Sequence, residues 1–217
     1  MAEKREKPYI WVTWLTKLLV GDNSCEWAAW FKAHYQKYAR VPDTFDSATW
    51  QMKHTELLNR VRTDLEAEGK TVFIERQNRF VLKGSIATLG GRPDLIAISG
   101  NRGVIYDVKT GQPTPSDHVQ VMTYMYSMPK AFRQYREMVF DGMVVYQDHR
   151  VPIPAAAVND SFVSGLIDLI RKVGSQEPLR KVPSGMECGF CPIASSECPE
   201  RMEGNGKDEG DNEVSDF

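Results

Sequence analysis

Asp94, Asp107 and Lys109 are the side chains of this sequence best suited to chemistry. Asp107 and Lys109 stand two apart in the run Gly103-Val-Ile-Tyr-Asp-Val-Lys-Thr110, which reads as a strand. Alternate strand residues share a face, so the carboxylate and the ammonium point the same way and Val108 points to the other layer. Val104, Ile105 and Val108 surround the two charges with apolar side chains, and burying charges in such company is costly unless they are paired. Asp94 closes the preceding run, Gly91-Arg-Pro-Asp94, ahead of a second apolar strand. Two converging aspartates can hold a divalent cation through hard oxygen ligands. A lysine beside them can stabilise charge that develops in a transition state, or orient an attacking water. An Asp-x-Lys step by itself is equally the mark of an ion pair on a solvated strand face.

The second reactive set is four cysteines, the full complement of the chain. Cys188, Cys191 and Cys198 form Cys-x2-Cys-x6-Cys, with Pro192 and Pro199 following two of them, and Cys25 stands far upstream. A Cys-x2-Cys step lets one turn aim two sulfurs at one point. Four thiolates suit either a structural Zn2+ or a 4Fe–4S cluster. Cys25 follows Ser24 at the start of an expected helix, where the dipole favours a thiolate.

The elements that must position these groups follow from pattern. Thr13 is expected to cap a short helix reaching Val20, and a second helix is expected from Cys25 to about Arg40, with Trp27, Trp30 and Phe31 on one face. Asp46 or Ser47 caps a long helix that stops at Gly69. Its apolar stripe is Trp50, His54, Leu57, Leu58, Val61 and Leu65, so His54 is placed on the inward face. Runs 71–80, 83–89 and 93–98 read as short strands. Glu75, in the first, reads as an ordinary strand carboxylate, and Arg92 as a phosphate contact or a surface residue. Thr114 and Pro115 start a helix to about Met128 that places Gln120 and Tyr124, four apart, on one face. A hairpin over 138–146 and 149–153 and an amphipathic helix over 158–173 follow, then loop up to the cysteines.

Composition sets bounds on this picture. Apolar residues make up 41% and charged residues 26% of 217 residues, ordinary values for a globular domain with a sizeable core. The formal charge of −2 is unevenly placed. Six acids and one lysine lie from Glu203 onward, so the rest carries 26 basic against 23 acidic residues, about +3. A mildly basic body suits nucleic acid without requiring it. No run approaches the roughly 20 apolar residues of a membrane span. The charged start, Met1 to Lys7, reads as a lead into a buried helix, and the protein as cytoplasmic. The expected organisation is a single domain over 1–203 and an acidic, disordered tail over 204–217.

The order His54, Gly91-x-x-Asp94, Asp107-x-Lys109, Gln120-x-x-x-Tyr124 resembles the RecB-like branch of the PD-(D/E)XK nucleases, across about residues 10 to 200. One cysteine ahead of these motifs and three behind them resembles the iron–sulfur members, among them the CRISPR-associated exonucleases and the nuclease domain of the AddAB helicase–nuclease. The resemblance implies an α/β fold, a central mixed sheet flanked by helices, with a cysteine-ligated cluster joining the N-terminal helix to the C-terminal loop. It implies that His54, Asp94, Asp107 and the Val108 carbonyl ligate Mg2+ or Mn2+. Lys109 would position or polarise water, and Gln120 and Tyr124 would hold the DNA. Cys25, Cys188, Cys191 and Cys198 would ligate the 4Fe–4S cluster, with Zn2+ the alternative. The implied activity is exonucleolytic hydrolysis of single-stranded DNA ends, in CRISPR adaptation or in recombination and repair. A CRISPR integrase complex or a separate helicase would be the partner, since no Gly-x4-Gly-Lys-Ser/Thr motor motif is present. A DNA-end-binding subunit without activity of its own is the reading from a different class.

Overall fold

The computed structural model describes residues 2–42 and 46–202. In chain order these form β1 (Glu3–Lys4), β2 (Tyr9–Trp11), α1 (Thr16–Leu19), α2 (Glu26–His34), β3 (Tyr35–Gln36), α3 (Ser47–Ala67) and β4 (Thr71–Ile74). Then come α4 (Glu75–Asn78), β5 (Phe80–Lys83), β6 (Thr88–Gly91), β7 (Leu95–Ser99), β8 (Arg102–Val108) and α5 (Pro115–Ala131). The last elements are β9 (Val139–Val145), β10 (Arg150–Ile153), α6 (Asp160–Val173) and α7 (Gly185–Phe190). The acidic segment 204–217, expected to be disordered, lies outside the described residues. Among the described residues no helix is long and apolar enough to cross a membrane.

The central sheet has the order β10-β9-β8-β7-β4. Its β8–β9 pair is parallel and the others are antiparallel, so the sheet is mixed. Strand alternation divides its side chains between two helices. Leu95, Ala97, Tyr106, Val108 and Val145 pack against Leu57, Leu58, Val61 and Leu65 of α3. Ile96, Ile105, Phe140 and Val144 face the other way, into the larger core with Val121, Tyr124, Met125 and Met128 of α5. Each fully buried aliphatic side chain contributes roughly 1.5–3 kcal/mol. The same alternation puts Asp107 on the α5 side of β8. A second sheet, β2-β6-β5, carries Gly91 toward Asp94, and a β1–β3 ribbon brings the two halves of the N-terminal segment together.

Several local expectations are corrected. The helix expected from Cys25 to Arg40 stops at His34, because Tyr35 and Gln36 extend to pair with β1, and the His34 ring meets the Val173 carbonyl at 3.2 Å. The stretch 9–20 begins as strand β2 and becomes helical only in short turns. The strand expected over 71–80 is interrupted by α4, whose Asn78 amide satisfies the carbonyls of Phe73 and Pro93. The 83–89 run is split: Lys83 ends β5, 84–87 form the turn, and Thr88 and Leu89 begin β6. Cys188 lies in helix α7 rather than loop. The stripe of α3 is buried only from Leu57 on, so Trp50, expected inward, is 43% exposed.

Close packing explains two glycines. A Cβ on Gly142 would sit 2.4 Å from Val121, where α5 lies on β9. A Cβ on Gly91 would sit 2.6 Å from Phe80 and 2.9 Å from Tyr124. Gly91→Ala should therefore cost about 1–3 kcal/mol, because two buried rings must shift. Gly165→Ala, at an open position within α6, should gain about 0.5–1 kcal/mol from helix propensity. Thermal melts of the two variants should move in opposite directions.

Candidate active site

Asp94, Asp107 and Lys109 meet at the end of the central sheet where α3 and α5 approach from opposite faces. They line one cavity of about 600 Å3, together with His54, Val108, Gln120, Tyr124, Trp11, Trp50, Arg79 and Arg92. The six non-cysteine side chains expected at the site and Val108 are thus brought together.

Asp107, only 2% exposed, is the anchor. Its Oδ1 accepts a 2.8 Å hydrogen bond from Gln120 Nε2. Lys109 Nζ lies 2.8 Å from its Oδ2, an ion pair at hydrogen-bond distance. Burial pushes the Asp107 carboxyl up to about 7, against the pull of Lys109 and with the repulsion of Asp94 adding to it. Burial works against the Lys109 charge too, but Asp107, Asp117 and Asp94 outweigh it and hold its pKa above the ordinary lysine value. Lys109 Nζ also donates to Gln120 Oε1 at 3.1 Å, and its backbone N–H donates to the Val145 carbonyl of β9.

Asp94 is fixed from the sheet. Its Oδ2 accepts the Val108 backbone N–H at 2.8 Å and faces His54 Nε2 at 3.4 Å. That carboxylate raises the His54 pKa, with burial opposing it and Glu75 and Asp107 adding to the rise. His54 is stacked on Trp50, ring centroids 5.0 Å apart. Glu75 opens α4 with its backbone N–H on the Asp94 carbonyl.

Gln120 Nε2 also reaches the Tyr124 hydroxyl, at 3.2 Å. Tyr124 is buried, its ring edge-on to Phe80, and burial raises its pKa. One α5 face thus carries both the amide that orders Asp107 and the phenol packed over Gly91.

Sequence reasoning missed Asp117. Its Oδ1 lies 3.8 Å from Lys109 Nζ, and its Oδ2 accepts from Thr114 N–H and from the Tyr146 hydroxyl. The signal was the Thr114-x-x-Asp117 spacing, which marks a capping box at the start of a helix. Trp11, Trp50 and Arg79 also line the cavity and carry no short-range mark in the sequence, since they come from β2, α3 and the end of α4.

Cys25, Cys188, Cys191 and Cys198 line a second cavity, of about 510 Å3, and none is in a disulfide. Cys25, Cys191 and Cys198 pack against Trp27, Trp30, Phe31, Tyr38 and Ile193. Segments 24–41 and 187–194 meet there without help from the thiols. Val41 N–H donates to the Pro192 carbonyl, Ala194 N–H to the Ala39 carbonyl, and the Glu187 carboxylate accepts from Ser24 and Cys25 N–H. In neither cavity, among the described residues, do three His, Cys, Asp or Glu side chains converge closely enough to hold a metal ion as they stand. The donors nonetheless fit: a buried Asp107 carboxylate beside Asp94 and His54 suits a hard divalent cation, and four thiols on one cavity suit Zn2+ or iron.

No curated protein matches the chain. A solved structure titled "Crystal structure of SSO0001" is similar at 18% identity and a TM-score of 0.46, over 92% of this chain and 90% of the other. The model of the PD-(D/E)XK nuclease superfamily matches residues 23–199. That span takes in α2 through the last cysteine, and with it His54, Asp94, Asp107-x-Lys109 and Gln120: the chain belongs to the PD-(D/E)XK nuclease superfamily.

Proposed function

We propose that this nuclease is a Mg2+- or Mn2+-dependent DNA exonuclease acting on single-stranded ends. The observation that carries the reading is the buried Asp107 carboxylate, paired with Lys109 and held beside Asp94 and His54 in one open cavity. Asp94, Asp107, His54 and the Val108 carbonyl would hold the cation. When bound, it would act as a Lewis acid on the phosphate and lower the pKa of an attacking water. Lys109 would bind the scissile phosphate or orient that water. Gln120 keeps the carboxylate and the ammonium in register, since its amide bonds both. Gln120 would face the DNA strand, with the buried Tyr124 supporting it from beneath.

The four cysteines would hold a 4Fe–4S cluster, or Zn2+ in its place, as a staple between the start of α2 and the C-terminal segment. Residues 1–203 then act as one unit. End processing in CRISPR adaptation, or in recombination and repair beside a separate helicase or integrase, is the setting that fits such an activity.

End-labelled single-stranded DNA with Mg2+ or Mn2+ tests the chemistry. Asp94→Ala and Lys109→Ala should each lower cleavage at least about a hundredfold while circular dichroism stays native. Substantial cleavage by either variant would remove its residue from the site. The position of the label reads polarity.

Metal-free stability should follow the raised pKa of Asp107. A carboxyl titrating higher in the fold than in the unfolded chain contributes stability at acid pH that is lost as pH rises toward about 7. Asp107→Asn should therefore gain on the wild type between about pH 4 and pH 7 in denaturant melts with EDTA. Millimolar Mn2+ should narrow the gap by stabilising the wild type alone. A gap independent of pH would show that Asp107 is charged throughout.

Cys191→Ala should lose bound iron or zinc, measured by elemental analysis, and melt at lower temperature. Visible absorption separates the metals, because only an iron–sulfur protein is brown. Full metal content in the variant would exclude Cys191 as a ligand.

A further inference from the structure

The turn that carries Asp94 has a second feature that the proposed chemistry leaves unused. The β5–β6 ladder ends with Phe80 opposite Gly91. Arg79 and Arg92 are the next residues outward, one on each strand, so they leave the ladder as cross-strand neighbours. Arg79 continues the line of β5 with extended backbone, at φ −63° and ψ 123°. Beyond the ladder the Asn78 amide holds the Pro93 carbonyl at 3.3 Å, and the Tyr124 hydroxyl meets the Arg92 backbone. Both arginines are exposed, and both line the cavity of Asp94, Asp107 and Lys109.

Residues opposite one another on an antiparallel pair have Cβ atoms about 4.5–5.5 Å apart, and like charges placed there are destabilising. A carboxylate beside them would offset that cost. Among the described residues neither arginine has one as an ion-pair partner: Asp94 faces His54, and Asp107 and Asp117 face Lys109. Arg79 lies 5.8 Å from the Trp11 ring centroid, a contact that uses none of its N–H donors. Two uncompensated guanidiniums side by side suit an anion, and the planar fork of each matches phosphate oxygens.

We propose that Arg79 and Arg92 together bind one phosphate of the DNA strand, next to the bond cut at Asp94, Asp107 and Lys109. The bound phosphate relieves the repulsion between the guanidiniums, and its fixed place sets which phosphodiester falls on the carboxylates. This rests on the nuclease reading of the same cavity. A terminal phosphate and an internal one share this chemistry. The competing role is structural: Arg79 packs on Trp11, Arg92 lies in solvent, and neither touches DNA.

In EDTA cleavage does not run, so fluorescence anisotropy of a labelled oligothymidine reads the site at a series of salt concentrations. The double variant Arg79→Gln with Arg92→Gln should bind about 10- to 150-fold more weakly, the range of lost charge-assisted hydrogen bonds. Its slope of log affinity against log salt should be shallower by about 0.7, the share of one phosphate on a single strand. A change of about 1.4 would mean two separate phosphates and overturn the shared site. Unchanged affinity and slope, or no oligonucleotide binding by the wild type, would overturn it too. Each single variant should melt no lower than the wild type in EDTA, because a like-charge contact has gone. A fall in both melting temperatures would overturn the opposed pair on which the site is built. Oligothymidines with a 5′-phosphate, a 3′-phosphate or hydroxyl ends tell the two sources apart. A preference for one phosphorylated end that the double variant loses marks a terminal phosphate, and an equal loss on all three marks an internal one. The expected binding pattern in a protein that cuts nothing with Mg2+ or Mn2+ would uphold the site and reject only the nuclease reading. Cleavage by the wild type with unaltered binding by the double variant would do the reverse.

Discussion

Asp107 has to be ionised to hold a cation, and the fold buries it almost completely. Removing a carboxylate from water costs several kcal/mol unless charge and hydrogen bonds compensate. The surrounding structure can be understood as that compensation. Lys109 supplies opposite charge from the same face of the same segment, and Gln120 ties both groups together from α5. Asp117 adds negative charge on the far side of Lys109 and is itself held by Thr114 and Tyr146. The compensation is incomplete, since burial still raises the carboxyl pKa. An arrangement poised in this way favours an incoming cation, whose charge would offset the remaining cost of burial.

That requirement fixes which parts of the fold must be rigid. Asp107 sits on β8, at the centre of the mixed sheet, with neighbours on both sides. Asp94 is locked to the same strand through the Val108 N–H, so the two carboxylates share one frame. α5 must lie close enough for Gln120 to reach, and Gly142 and Gly91 allow this by leaving room for Val121, Met125 and Tyr124. The glycine of Gly91-x-x-Asp94 thus has a packing reason: the ring of Tyr124 fills the space that a side chain would take.

The cysteine lobe poses a different problem. Its two halves come from opposite ends of the described chain and close a large loop, at an entropic cost that grows slowly with length. An aromatic cluster and a short series of backbone hydrogen bonds already hold them together. A metal there would reinforce a contact that packing has made, and its loss would loosen the lobe before it touched the carboxylates at the sheet's end.

Local rules were enough for much of this. The Asp46 cap and the spacing of Leu57, Leu58, Val61 and Leu65 determined α3; Thr114 and Pro115 determined the start of α5; and the two-residue step put Asp107 and Lys109 on one face. These depend on helical and strand periods, which any stretch of chain carries within itself. What periodicity could not decide was how far each face is covered. Trp50 fits the stripe of α3 but overhangs the sheet and stays exposed, and α2 ends early because β1 claims Tyr35. Nor could spacing assemble the far wall of the cavity, where β2, α3 and the end of α4 bring Trp11, Trp50 and Arg79 to the carboxylates. Their meeting is a property of sheet order and helix docking, which long-range packing sets. The sequence by itself determined the reactive groups and the faces they occupy; only tertiary structure decided which groups are buried, which stay open, and what stands opposite them.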